Sequence, residues 1–337
     1  MMQRLKDFFA KRRLISGQAL RDRRYHAFLQ REKKTPRDLI YFGRRLMWRY
    51  GLHPHFLGNN TLLDNARYLT AYALGWPNPN PDATILDAPL RDADISRVLT
   101  LFERRIRERI PVEYITQEAE YLGRRFYVNE HVLVPRSLMS TRFQDFLANT
   151  HWSNRRVLDL CTGSGCIGIT LALLNPDIQV DLADISEQAL QVAAENIKRH
   201  GLENRVRCIQ GDLFENIQQR YDLIISNPPY VASNHYRRGP QEFKNEPRLA
   251  LESGRDGMDI VKRMLREAGA YLNPTGKLIA EVGFPTAKKI KRQYRNLPLK
   301  WYTYRKPNGK TAFLAIDGVF ECQARDLPTK AIQDIIK

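Results

Sequence analysis

Apolar residues recur at helical spacing in three stretches of the first third of the chain. Leu39, Phe42, Leu46 and Met47 follow Thr35-Pro36-x-Asp38, where a capping hydroxyl, a proline at the first helical position and an early acid mark a helix start. Leu62, Leu63, Ala66, Leu69, Tyr72 and Ala73 repeat the pattern between Thr61 and Leu74. Beyond the break WPNPNPD, Ile95, Val98, Leu99, Phe102 and Ile106 repeat it between Asp94 and Arg109. The stripes predict a small helical domain whose apolar positions are core, with no catalytic constellation in it.

From Pro111 the period changes. Glu120 to Asn129 and His131 to Val134 read as two strands of a hairpin that joins two domains. From Arg155 strands and helices alternate: RRVLDLCT, a helix from Ser164, IQVDLADI, a helix from Glu187 to His200, VRCIQGDL, YDLIIS, a helix from about Met258 to Tyr271, GKLIAEV and a helix through Ile290. Lys300 to Arg305 and Thr311 to Ile316 read as two last strands meeting at Asn308-Gly309, a hairpin signal. This order predicts an α/β fold with a mostly parallel sheet and an antiparallel edge.

A chain of 337 residues holds two domains and a sizeable core, and 43% hydrophobic content argues against general disorder. No uncharged apolar run approaches a membrane span and no secretory segment follows the first Met, so no membrane partner is expected. Cys161, Cys166, Cys208 and Cys322 have neither metal-ligand spacing nor the look of a disulfide framework, which predicts a reducing cytoplasm and no metal. The net charge of +17 suggests an acidic partner, RNA or something that lives beside it. Residues 1 to 34 carry eleven Lys and Arg against three acids; a basic arm touching RNA or a solvated extension both fit them, and the acids weigh against an Arg-rich transit peptide.

Candidate chemistry sits where strands end. The buried strand Tyr221 to Ser226 runs into Asn227-Pro228-Pro229-Tyr230. By itself this is an ordinary turn, but the Asn side-chain oxygen and the Pro228 carbonyl make a pair of acceptors matched to a planar NH2 group, and Tyr230 offers a ring face to the same plane. The first strand ends in DLCTGSGCIG, where Gly163, Gly165 and Gly168 satisfy G-x-G-x-x-G, and Asp184 closes the second strand. A nicotinamide dehydrogenase is the first reading to weigh. Asp159 counts against it, because a carboxylate before the glycines repels a pyrophosphate but suits an ammonium. S-adenosylmethionine (AdoMet) fits better: Asp159 for its ammonium, Gly163 and Gly165 for close approach, Asp184 for its ribose hydroxyls, and Asp212 with Leu213 for its adenine. For Asp184 alone, a helix cap before Glu187 is the plain alternative.

The stretches RIPVEYIT, YLGRRFYVNEHVLVPRS, VLDLCTGSGCIGI, ADIS, GDLF, SNPPYV and EPRLALESGRDGMD resemble the HemK/PrmB family of protein N(5)-glutamine methyltransferases. The likeness covers about residues 35 to 320, and PRS after VLV looks like the PrmB branch, whose target is a glutamine of ribosomal protein L-three. Arg136-Ser137 is followed by Leu138-Met139-Ser140-Thr141, with no nearby acid as the family usually has. The resemblance implies a class I AdoMet-dependent methyltransferase fold, Rossmann-like with seven strands. It divides the chain into a basic extension (1–34), a helical substrate-binding domain (35–115), a β-hairpin linker (116–134), a methyltransferase domain (135–320) and a tail (321–337). It also implies that Asn227 and the Pro228 carbonyl grip the amide NH2 of a substrate glutamine, beside Pro229 and against Tyr230, with Asn227 close to the cofactor. Arg136 and Glu246-Pro247 are candidates for shaping a peptide cleft or for a purely structural part, and no general base is evident.

Three other readings stand beside this one. An N6-adenine-type DNA or RNA methyltransferase needs the same acceptor pair for an exocyclic NH2. A glutamine methyltransferase acting on peptide chain release factors shares the whole site. A non-catalytic RNA-binding ribosome-assembly factor retains the fold without needing an intact Asn227.

Overall fold

The computed structural model describes residues 28, 34–52, 61–139, 155–302 and 318–327. Almost all of the basic extension, Asn308-Gly309 and the strand expected over Thr311 to Ile316 lie outside these described residues. The chain divides into two compact units, Met1–Thr116 and Gln117–Lys337.

In the first unit the helices are α1 (Pro36–Arg49), α2 (Leu62–Leu74), α3 (Ala83–Asp87), α4 (Asp92–Glu108) and α5 (Val112–Thr116). Both α1 and α2 start on capping boxes, Thr35 with Asp38 and Thr61 with Asp64, so orphan amides at each N-terminus are satisfied locally. The expected stripes face inward, with Leu39, Met47, Ala66, Leu69, Val98, Leu99 and Phe102 fully buried, except that Tyr72, expected in the second stripe, is 51% exposed. At Gly43 a Cβ would fall 2.4 Å from the Phe102 ring, so only glycine lets that ring lie on α1. Arg105 is also fully buried, and its Nε donates to Asn65 Oδ1 at 3.2 Å.

The second unit opens with an antiparallel hairpin, β1 (Glu118–Tyr121) and β2 (Arg124–Tyr127), followed by β3 (Arg156–Leu160). Both hairpin strands fall near or within the single strand expected over Glu120 to Asn129, and His131 to Val134 forms no strand. The chain reverses at Leu122-Gly123, both at positive φ, as a two-residue hairpin turn requires. A leucine in that conformation is uncommon, so only Gly123 marked the turn. Tyr121 and Phe126 are buried in the core on one face of the main sheet, so the hairpin expected as a linker packs as part of this unit.

The main sheet adds α6 (Cys166–Leu174), β4 (Gln179–Asp184), α7 (Glu187–Arg199), β5 (Val206–Gln210) and β6 (Tyr221–Ser226). Then come α8 (Ser233–Arg238), α9 (Arg248–Leu251), α10 (Asp259–Glu267), β7 (Leu272–Val282), α11 (Phe284–Gln293), β8 (Lys300–Tyr302) and β9 (Gly318–Gln323). Strand order is β5-β4-β3-β6-β7-β9-β8, with the first five parallel and β9 antiparallel to both its neighbours. Successive residues of β6 feed opposite faces, Leu223 and Ile225 one core and Ile224 the other, which is why YDLIIS lacks alternation. Strand β9 crosses the boundary expected between 320 and 321, and Phe320 and Cys322 are buried in the sheet. Glu321 disguised it: this buried carboxylate accepts from Tyr302 Oη at 2.9 Å and pairs with Lys277 at 3.2 Å.

The chain crosses from one side of β3 to the other between β5 and β6, and such a switch point opens a crevice at the strands' carboxyl ends. Gly168 lets α6 approach that place, since a Cβ there would stand 2.4 Å from Leu182 Cδ2 and 3.0 Å from Asp159 Cβ. Gly168→Ala should therefore lower stability by about 1–3 kcal/mol, read as a fall in the urea midpoint with an unchanged slope.

Candidate active site

A cavity of about 290 Å³ lies at the carboxyl ends of β3, β4, β5 and β6. Cys161 to Ser164 line it after β3, Asp184 to Ser186 after β4, Gly211 to Leu213 after β5, and Asn227 and Pro229 after β6. A second cavity of about 70 Å³ is lined by Asn227, Pro228, Tyr230, Glu281, Arg136 and Leu133, among others. Asn227, Leu133, Arg136 and Ala250 border both spaces.

The Asn-Pro-Pro-Tyr segment is braced on each side. Ser226 Oγ donates to the Leu160 carbonyl at 2.6 Å, tying the end of β6 to the end of β3. Val231 pairs in parallel with Glu252, through Val231 N to Leu251 O at 2.8 Å and Ser253 N to Val231 O at 2.9 Å. The Tyr230 carbonyl accepts from Thr286 Oγ1 at 3.0 Å, and it lies where a Cβ at Gly257 would be, 2.4 Å away. Gly257 also has φ +79°, so EPRLALESGRDGMD is the brace that holds the turn in place. Asn227 Oδ1 is buried and has no hydrogen-bond partner among the described residues.

The acids of the larger cavity divide by environment. Asp184 Oδ2 accepts from Gly163 N at 2.9 Å and Oδ1 from Ser186 N at 3.0 Å, while Ser186 itself caps α7 by accepting from Ala189 N. Burial holds the Asp184 carboxyl above the ordinary carboxylate range. Asp212 sits with its oxygens 3.0 Å from Arg263 Nη1. Leu213 and Cys161 reach the cavity wall with φ of +54° and +58°, strained values that a rigid surround must hold.

Asp159 and Gly165, both expected at this site, do not line the cavity. Asp159 is fully buried behind the glycine loop, its Oδ2 accepting from Thr162 Oγ1 at 2.7 Å and Gly168 N at 2.9 Å. Its Oδ1 is buried without a partner, and burial pushes the carboxyl up to about 7. Gly165, at φ +79°, caps α6. The unsatisfied buried oxygen of Asn227, together with a crevice lined by Asp184 and Asp212, fits a ligand that carries a cation and NH donors, as AdoMet beside an amide does.

The acids absent beside Arg136-Ser137 come from distant segments. Arg136 forks onto Glu246, with Nη2 to Oε2 at 2.7 Å, and Glu246 Oε1 also accepts from Val134 N at 3.3 Å. Ser137 Oγ and Leu138 N donate to Glu281 Oε2 at 2.5 and 2.9 Å. Glu281 escaped the sequence reading. Its one signal is a charge inside an apolar strand beside β6, at the same level as Asn227.

Residues 140–254 match the family described as methyltransferase small domain. The chain is 40% identical to the ribosomal protein uL3 glutamine methyltransferase of Neisseria meningitidis serogroup A, over 80% of this chain and 89% of the relative. It is 42% identical to the enzyme of the same name from Bordetella pertussis, over 75% of this chain and 86% of the relative. Among solved structures it resembles a methyltransferase from Pyrococcus furiosus at 18% identity and a TM-score of 0.43, covering 63% of this chain and 93% of that one.

The buried Asp159 generates a pH effect. A carboxyl at about 7 when folded and near 3.8 when unfolded makes the unliganded fold lose stability as pH rises between those values, by roughly 4 kcal/mol at most. Asp159→Asn should flatten that dependence in a series of unliganded melting curves and raise the melting temperature at pH 8.

Proposed function

The chain belongs to the family of ribosomal protein uL3 glutamine methyltransferases, and on that premise we propose that it methylates the side-chain amide nitrogen of a glutamine in ribosomal protein uL3, with AdoMet as methyl donor. The residues that would hold the donor are Gly163, Asp184, Asp212 and Leu213, with Asn227 at the reacting end, while Asp159 and Gly165 shape the glycine loop from behind. When bound, the donor supplies a methyl group made electrophilic by its sulfonium.

The rest falls to the chain's own groups. An amide nitrogen is a weak nucleophile because its lone pair is delocalised into the carbonyl. Acceptors on both of its N–H bonds push density back onto nitrogen and fix the direction in which it attacks. In this reading Asn227 Oδ1 and the Pro228 carbonyl are those acceptors, and the Tyr230 ring covers the amide plane. Catalysis then comes from positioning and fixed dipoles, at little reorganisation cost, since the turn is already braced.

The carrying observation is Asn227 Oδ1, buried, unpartnered among the described residues and belonging to a side chain that borders both cavities. Four free thiols and a ribosomal protein target together support a cytoplasmic setting. Among the described residues no helix is long and apolar enough to cross a membrane.

Labelled AdoMet incubated with separated ribosomal proteins, ribosomal RNA and release factors tests this. Label is expected on uL3, and label confined to RNA or to a release factor would overturn the reading. Asn227→Ala should leave donor affinity within a few-fold of wild type and lower kcat by on the order of 10² or more, because it removes an interaction with the acceptor alone.

A further inference from the structure

Methylation of an amide has an unassigned half. The nitrogen gains a carbon, the sulfonium leaves as a neutral thioether with the bonding electron pair, and one amide proton must depart. Asn227 and the Pro228 carbonyl cannot take it, since an amide oxygen is far too weak a base at neutral pH.

The lining of the smaller cavity offers three ionisable side chains among the described residues: Arg136, Tyr230 and Glu281. Arg136 is a guanidinium forked onto Glu246 and stays protonated. Tyr230 is a phenol, a donor at neutral pH. Glu281 alone is a carboxylate. It is 1% exposed, at the carboxyl end of the strand beside β6, two residues past the point where Ile225 pairs with Ile279.

We propose that Glu281 is a catalytic residue that receives the amide proton as the methyl group is transferred. This inference rests on the glutamine reading above. The Glu281 carboxylate is pre-aimed: Ser137 Oγ at 2.5 Å and Leu138 N at 2.9 Å both donate to Oε2, fixing its rotamer. As N–C bond formation makes the remaining N–H bonds acidic, one proton passes to the carboxylate and from there to solvent once the neutral N-methyl amide has left. Ser137 and Leu138 are positioning residues, acting through Glu281. Among the described residues the Ser137 hydroxyl and the Leu138 amide donate to this carboxylate, Arg136, itself paired with Glu246, and Tyr230 line the same cavity, and burial first and then the charges of Asp159 and Glu281 push the Cys166 thiol up to about 12.

The test separates a base from a brace. Glu281→Gln keeps an oxygen that accepts from Ser137 and Leu138 but removes the basicity. General-base loss predicts a fall in kcat on the order of 10², with donor affinity by calorimetry and melting temperature near wild type. The acid limb of the wild-type pH–rate profile, where activity falls as the carboxylate protonates, should be missing from the variant. Glu281→Asp, which shortens the arm and keeps the base, should recover part of the rate. A carboxyl 13C resonance assigned by its loss in Glu281→Gln should shift when a glutamine peptide is added to the wild type. A Glu281→Gln enzyme with wild-type kcat and acid limb, or a resonance that ignores the peptide, would overturn the proposal. If wild type methylates no glutamine at all, the glutamine reading fails instead, and the two failures are distinct.

Discussion

A buried oxygen with no donor opposite it costs a folded protein roughly 1–3 kcal/mol, and this chain keeps one at the tip of its central strand. Asn227 Oδ1 has no partner among the described residues, although the Ser226 hydroxyl and backbone donors lie within a few residues of it along the chain. The turn does not relax to satisfy it because it is held from several directions. Ser226 is tied to Leu160, Val231 is stitched to Leu251 and Ser253, and the Tyr230 carbonyl is pinned by Thr286 over a glycine with no side chain. Two successive prolines leave the backbone little freedom and no N–H with which to close on itself.

The same logic extends behind the glycine loop. Asp159 is buried with one oxygen bound and one bare, and its carboxyl is pushed to about 7. A charged group in such surroundings destabilises the empty protein. The Arg136-Ser137 segment shows the opposite arrangement. Glu246 and Glu281 reach it from far along the chain, and their hydrogen bonds fix the wall shared by the two cavities.

Much of this was legible from residue order. A capping signal at Thr35 located the start of α1, and helical stripes located α2 and α4 to within two residues, because those signals are local. The parallel strands were legible because both their faces are buried and they read as short apolar runs. The hairpin register was not, since its turn uses Leu122 at positive φ, and neither was β9, whose Glu321 finds Lys277 and Tyr302 only after the sheet forms.

Part of the wall of the larger cavity was identifiable in advance, since Gly163, Asp184, Asp212, Leu213 and Asn227 all sit at or just past strand ends. Strand ends are marked in the sequence, and a parallel sheet brings them to one edge whatever the details of packing. What residue order alone could not decide was depth and partnership. It did not separate Asp159, sealed under the loop, from Asp184 at the cavity wall, nor pair Ser137 with Glu281 across 144 positions. Local preference acts over a few residues, whereas burial and long-range hydrogen bonds exist only once the sheet has closed around them.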